Sequence, residues 1–133
     1  MTNKFKLEVT TPGQLVYGGE VDMATIPGEE GEFGVLPGHC ALISSLKPGI
    51  VSVYQGNQII ARIFVGGGLA EVNGTEASVL ATEAYDLSKI TKAQVQKKID
   101  EADVKLKTAE NEFDKRRANE VIELNKEILS HLN

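Results

Sequence analysis

Glycine and proline are confined to one part of this chain. All thirteen glycines lie between Gly13 and Gly74 and all four prolines between Pro12 and Pro48, so the 59 residues after Gly74 (133 − 74) contain neither. Glycine admits positive φ, and proline fixes φ and withdraws a backbone donor. A segment rich in both favours short elements joined by tight turns, and a segment with neither favours long helices. Charge divides at nearly the same place. Residues 1–88 hold 4 Lys and Arg against 10 Asp and Glu, a net of −6; residues 89–133 hold 10 against 9, a net of +1, and the two sum to the −5 of the chain. Two architectures in series are expected, as domains 1–86 and 87–133.

The first reads as β-structure. Phe5, Leu7 and Val9 alternate with Lys6, Glu8 and Thr10, the period of a half-buried strand. Further β-rich runs follow at Val21–Ile26, Ala41–Leu46, Ile50–Tyr54, Ile59–Val65, Leu69–Val72 and Ala77–Ala81. Gly56-Asn57 and Asn73-Gly74 separate pairs of these runs and favour positive φ in hairpins. Thr11-Pro12-Gly13, Pro27-Gly28, Pro37-Gly38 and Pro48-Gly49 punctuate the rest. Many short strands with tight turns predict an antiparallel β-sandwich or flattened barrel.

The second reads as helix. Val95, Ile99, Ala102, Leu106, Ala109 and Phe113 recur at spacings of 4, 3, 4, 3 and 4. The next positions in phase, Arg116 and Glu120, are polar, and a new apolar set begins at Ala118, Val121 and Ile122. A break of phase predicts two antiparallel helices, with Asp86-Leu87-Ser88 leading in and Ser88 as N-cap. The phase break puts the corner near residues 113–117.

Composition excludes several classes. Cys40 is the only cysteine, so neither an intramolecular disulfide nor a four-cysteine zinc site can form. Net negative charge and the absence of Trp argue against a nucleic-acid partner. No apolar run approaches the roughly 20 residues of a membrane helix. The opening Met1-Thr2-Asn3-Lys4-Phe5-Lys6 has no signal-peptide character, so a non-exported protein is expected.

No catalytic constellation emerges. Gly28-Glu29-Glu30-Gly31-Glu32-Phe33-Gly34 lacks the Lys-Ser/Thr of a phosphate-binding loop and carries three carboxylates. Those carboxylates are a weak divalent-cation set and read better as a solvated or partner-facing loop. Gly66-Gly67-Gly68 precedes no helix pattern and reads as a bulge or close backbone packing. His39 and Cys40 are adjacent, but neighbours on an extended segment point to opposite faces and do not pair. No catalytic, metal-binding or cofactor-binding residue is assigned, and a chain that binds rather than catalyses is expected.

The stretch Pro27-Gly28-Glu29-Glu30-Gly31-Glu32-Phe33-Gly34-Val35-Leu36-Pro37-Gly38-His39 resembles the signature loop of the epsilon subunit of F-type ATP synthases. Leu46-Lys47-Pro48-Gly49, Phe64 to Val72 and Ser78-Val79-Leu80-Ala81 follow in that family's order, and Leu7 to Pro12 fits its opening. The resemblance implies a β-sandwich followed by a two-helix hairpin, and places the helix corner near residues 101–108. It implies a non-catalytic rotor subunit that binds gamma, sits on the c-ring and couples proton flow to ATP synthesis, with a tail that restrains ATP hydrolysis. A bacterial epsilon, peripheral on the cytoplasmic face of the inner membrane and held there through the complex, is the expectation.

By the same resemblance, Glu32, Phe33 and Gly34 face the c-ring. Thr11, His39 and Ser44 face gamma, and Gly31, Pro37 and Gly38 shape the loop. Lys115, Arg116, Arg117 and Lys126 are regulatory residues of a tail that reaches the beta subunits of the alpha/beta hexamer. An ATP-binding epsilon carries [Ile/Leu]-Asp-x-x-Arg-Ala at the start of its first helix. Here Asp86-Leu87-Ser88-Lys89-Ile90-Thr91-Lys92-Ala93 has Ser88 in place of Asp and no Arg. Lysine does not reproduce the planar Arg fork, so no useful ATP binding is expected. Gly68 stands where the family often has a bulky residue, and is expected to loosen the sandwich locally. The competing readings are a stand-alone ligand-binding sandwich with a helical appendage, which needs an apolar pocket, and a small enzyme built on His39 or Cys40.

Overall fold

The computed structural model describes residues 3–132; Met1 and Thr2, part of the N-terminal segment read above, lie outside the described residues. Ten strands come first: β1 Phe5–Thr11, β2 Gln14–Val21, β3 Met23–Gly28, β4 Gly31–Val35, β5 Leu42–Leu46, β6 Gly49–Gln55, β7 Gln58–Val65, β8 Gly68–Val72, β9 Glu76–Ala81 and β10 Ala84–Asp86. Two helices follow, α1 Lys92–Thr108 and α2 Glu112–Ser130. The chain divides between Ser88 and Lys89 into two compact units.

In the first unit the strands lie in the order β10-β7-β6-β3-β5-β8-β9-β1-β2, with β4 added to β3. The flattened barrel expected from the turns is what forms. Its pairings are antiparallel except that of β1 with β9, which is parallel from Lys6–Glu76 to Thr10–Leu80. A parallel pair needs a long crossover, and most of the sandwich supplies it here.

Alternation fills the core. Phe5, Leu7 and Val9 are buried while Lys6 is exposed. Ala24, Ile26, Val51, Val53, Ile63, Val65, Ala70, Val72, Ala77 and Val79 join them in one cluster. Each large side chain removed from water this way contributes about 1.5–3 kcal/mol. Strand β2 escaped the sequence reading because Gly18-Gly19 interrupts its middle, yet it pairs along the whole of β1. Tertiary pairing overrode weak local preference. Strand β4 was hidden inside the glycine-rich stretch read as a loop.

The glycines behave unequally. Gly56 turns β6 into β7 with φ 59°, as expected. Gly74 does not take positive φ; the Asn73 side chain makes that turn, accepting from the N–H groups of Thr75 and Glu76, each at 2.9 Å. Gly68 does not loosen the sandwich. Its φ is 140°, and a Cβ there would run into the carbonyl oxygen of Leu80. Close backbone packing, the reading made for the triple glycine, applies at this position.

In the second unit the expected cap is displaced. Thr91, not Ser88, caps α1: its hydroxyl accepts from Gln94 N–H at 3.2 Å, and the Gln94 side chain accepts from Thr91 N–H at 2.9 Å, a reciprocal capping box. Ser88 instead donates its N–H and hydroxyl to the Asp86 carboxylate. The corner falls at residues 109–111, between the two expected positions. Asn111 starts α2 by accepting from Asp114 N–H at 2.8 Å. Phe113 therefore belongs to α2, where it is exposed, and not to the α1 stripe. Ala118, Ile122, Asn125 and Ile128 are the buried residues of α2, and Val95 and Ala102 those of α1.

Candidate functional site

The sandwich carries its connections at two ends. At one end, Gly28 pairs with Gly31 across the turn made by Glu29 and Glu30. A Cβ on Gly28 would lie 2.8 Å from the Gly31 carbonyl oxygen and 3.0 Å from the Phe33 ring, so this turn requires glycine there. Glu29 N–H donates to Ser45 O at 2.9 Å and Lys47 N–H to Pro27 O at 3.0 Å, fastening the β3–β4 hairpin beside the β5–β6 turn.

Alternation then sorts β4. Phe33 lies opposite Ile26, is half-buried and packs against the core. Glu32 and Gly34 are exposed on the other side of the strand. Gly34 adopts no positive φ and has nothing within 4 Å of where a Cβ would stand. Folding makes no demand for glycine at that position. Gly31 and Gly38, by contrast, have φ of 136° and 81° and do set the backbone path. Pro37 is half-buried in the turn that Gly38 completes.

Thr11, Ser44 and His39 are not brought together. Thr11 closes β1 opposite Gln14, at the same end as the β3–β4 turn. Ser44 pairs with Ala70, Ala70 with Val79 and Val79 with Val9, which sets β5 three strand spacings from β1, about 14 Å. His39 sits at the far end, where Gly38 N–H donates to Gly74 O at 2.9 Å. Its own N–H donates to Leu36 O at 3.1 Å, and its Nδ1 donates to Cys40 O at 2.8 Å. The imidazole thus engages the carbonyl of Cys40. A partner touching all three residues must run the length of the sheet.

The outer face of that sheet carries residues the sequence reading missed. Ile43, Glu71, Ser78 and Glu8 form one cross-strand row, and Ser45, Leu69, Leu80, Thr10 and Leu15 the next. Ile43 is 70% exposed, Leu15 56% and Leu80 49%. Large apolar residues at the outward positions of alternating strands were the available signal. An open, shallow depression near Ile43 is rimmed by Glu71 and Glu76 and lacks the enclosure of a ligand pocket.

Among the described residues no group of three or more His, Cys, Asp or Glu side chains is placed to hold a metal. On α2, Lys115 pairs with Glu112 at 3.7 Å and the Arg117 guanidinium lies 5.7 Å from the centre of the Phe113 ring. Arg116 and Lys126 are exposed. At ~100° per residue, Lys115 and Lys126 share a face while Arg116 and Arg117 point away from it, so the four do not form one basic stripe.

Residues 4–86 match the family described as ATP synthase, delta/epsilon chain, beta-sandwich domain. The ATP synthase epsilon chain of Rhodospirillum rubrum is 38% identical over 118 residues, covering 89% of this chain and 88% of its own. That of Parvibaculum lavamentivorans is 34% identical over 128 residues, covering 96% and 97%. Among solved structures, a chain of the Euglena gracilis mitochondrial ATP synthase, in an assembly containing the c-ring, superimposes with TM-score 0.74 at 27% identity, over 98% of this chain and 82% of that one. A chain from the central stalk and c-ring of the Tetrahymena thermophila enzyme shares the fold, with TM-score 0.59 at 13% identity over 96% and 98%.

Proposed function

The chain belongs to the ATP synthase delta/epsilon family, and from that membership we propose that it is a non-catalytic central-stalk subunit coupling c-ring rotation to ATP synthesis through gamma. The observation that carries the reading is the extent of the likeness, which runs through sandwich and helical tail alike.

The β3–β4 end and the outer face of the sandwich divide the docking work. The β3–β4 end presents Glu29, Glu30 and Glu32, all exposed, to basic loops of the c-ring. Such rim charges set register and association rate more than affinity. Gly34 supports the same assignment: a glycine that folding does not require suits a surface approached closely by a partner. Phe33, packed inward beneath Glu32, supports the hairpin. On the outer face, Ile43, Leu80 and Leu15 offer gamma apolar contact, while half-buried Ser44 and Thr11 lie on the opposite, core-facing side of their strands.

The tail restrains ATP hydrolysis by reaching the alpha/beta hexamer, with Lys115 and Lys126 on one face of α2 toward acidic groups of beta. ATP is not expected as a ligand, since Ser88 stands where the motif has Asp and no Arg completes it. No helix among the described residues is long and apolar enough to cross a membrane. Peripheral attachment at the cytoplasmic face of a bacterial inner membrane, through gamma and the c-ring, fits the reading.

The test is titration into a gamma-containing hexamer prepared without this chain, reading binding and ATP hydrolysis together, with a form truncated after Asp86 in parallel. Binding by both forms and inhibition only by the full chain is expected. Binding without any difference in hydrolysis sinks the tail role and leaves the coupling role. Absence of binding overturns the assignment and favours the stand-alone ligand-binding sandwich.

A further inference from the structure

Few side chains of the helical unit are fully buried, although Ile99, Leu106, Leu124 and Leu129 are half-buried. Two of its six buried positions are alanines, Ala102 and Ala118, and a third is polar. That third residue, Asn125, is 4% exposed and is the buried polar residue of the described chain. Its Nδ2 donates to the carbonyl of Val121, one turn back in its own helix, at 2.8 Å. Its Oδ1 is buried and has no hydrogen-bond partner. Rotating the amide does not help, since it would set Oδ1 against the Val121 carbonyl oxygen. The amide therefore meets half of its needs, and does so without making a bond to the other helix.

A buried acceptor with no partner loses its hydration and regains nothing. In an open helical pair the same oxygen is hydrated. The penalty is thus specific to the closed state, and Leu at this position would remove it at nearly the same volume. A pair that folds back at residues 109–111 sets residues whose numbers sum to about 220 at one level. Val95 of α1, 3% exposed, is the counterpart level of Asn125. Asn125 thus lies level with Val95, near the ends of the pair farthest from the corner.

We infer that Asn125 is a built-in destabilising element that keeps the helical pair able to open while the sandwich stays closed. The inference goes beyond the proposed restraint of hydrolysis and rests on it only for its biological use; the opening itself is a property of the isolated chain. Local opening of this kind proceeds at a free energy set by the unit's own packing.

Hydrogen exchange on the full chain tests it, comparing the wild type with Asn125→Leu and Asn125→Asp. Asn125→Leu is expected to slow exchange of α1 and α2 amides about tenfold or more, and Asn125→Asp to speed it by a similar factor at neutral pH. Amides of β1 and β9 report any change in the sandwich and are expected to be unaffected. Unchanged or faster helical exchange in Asn125→Leu overturns the inference, because the amide would then hold the pair together. Adding Asn125→Leu to the gamma-containing hexamer separates the two ideas. Slower exchange with weakened inhibition supports both, whereas slower exchange with undiminished inhibition supports the role of Asn125 and sinks the requirement that the tail open to inhibit.

Discussion

The Asp22 carboxylate accepts a hydrogen bond from the backbone N–H of Gly56 at 2.7 Å, from a residue 34 positions along the chain. Its other oxygen accepts from Lys4 Nζ at 2.9 Å. One side chain in the bend between β2 and β3 therefore fastens the segment ahead of β1 and the β6–β7 turn to the same point.

These contacts make stability respond to acid. The Lys4 hydrogen bond first, and the Gly56 N–H second, hold the Asp22 carboxyl below its ordinary 3.8. A carboxylate whose folded value is depressed stabilises fully above the unfolded value, and that contribution fades as pH falls through the folded value. Asp22→Asn is expected to lower stability at pH 7 and to flatten its decline as pH falls below about 4. Denaturant midpoints across that range read the effect, and parallel acid limbs in the two proteins would contradict it.

Gly68 and Gly34 should separate under the same substitution. Gly68→Ala combines a φ of 140° with a collision against Leu80 O, and is expected to cost about 2 kcal/mol or more. Gly34→Ala, in open space, should change stability by no more than about 0.5 kcal/mol. If Gly34 matters to assembly, its alanine variant will lose affinity for the rotor with an unchanged melting temperature.

Glu32→Lys reverses a charge on an exposed strand position. Chain stability should move by no more than about 0.5 kcal/mol, while association with c-ring-containing complexes slows and its salt dependence shrinks or inverts. Equal association rates at low and high salt for both proteins would remove Glu32 from the contact.

Thr91→Ala deletes the N-cap of α1 and should cost the helical unit about 1 kcal/mol. Ser88→Ala, outside the helix, should cost clearly less. Helical circular dichroism followed through thermal unfolding distinguishes them, and a larger loss from Ser88→Ala would restore the cap to that position.

The parts of the molecule legible in its sequence were those where local pattern and tertiary demand agree. Phe5, Leu7 and Val9 alternate because one face of β1 is buried, and Val95 to Leu106 repeat because one side of α1 is. Strand β2 was illegible because Gly18 and Gly19 carry no pattern, and only β1 lying alongside makes them strand. Thr91-Lys92-Ala93-Gln94 held the capping box openly, but Asp86-Leu87-Ser88 offered a second start with similar residue types. At the surfaces, Glu32 was legible as an exposed carboxylate. The placement of Phe33 on the core side followed from β4 being a strand, which the glycines concealed. Ile43 and Leu80 needed the register of three strands, β5, β8 and β9, before they could be seen to share a face.

The parallel pairing of β1 with β9 bears on the order in which the protein can be completed. Lys6 waits for Glu76 and Thr10 for Leu80. With synthesis at roughly 5–20 residues per second, β1 spends about 4–14 s outside the ribosome before its inner neighbour exists. Through that interval the hairpin with β2 is available, but the edge of β1 and the side bearing Phe5, Leu7 and Val9 have no permanent cover. The strand made first is sealed among the last. A nascent chain paused ahead of Glu76 therefore displays Phe5, Leu7 and Val9 to any chaperone or neighbouring chain, and one whose Ala81 has emerged from the ribosome can withdraw them.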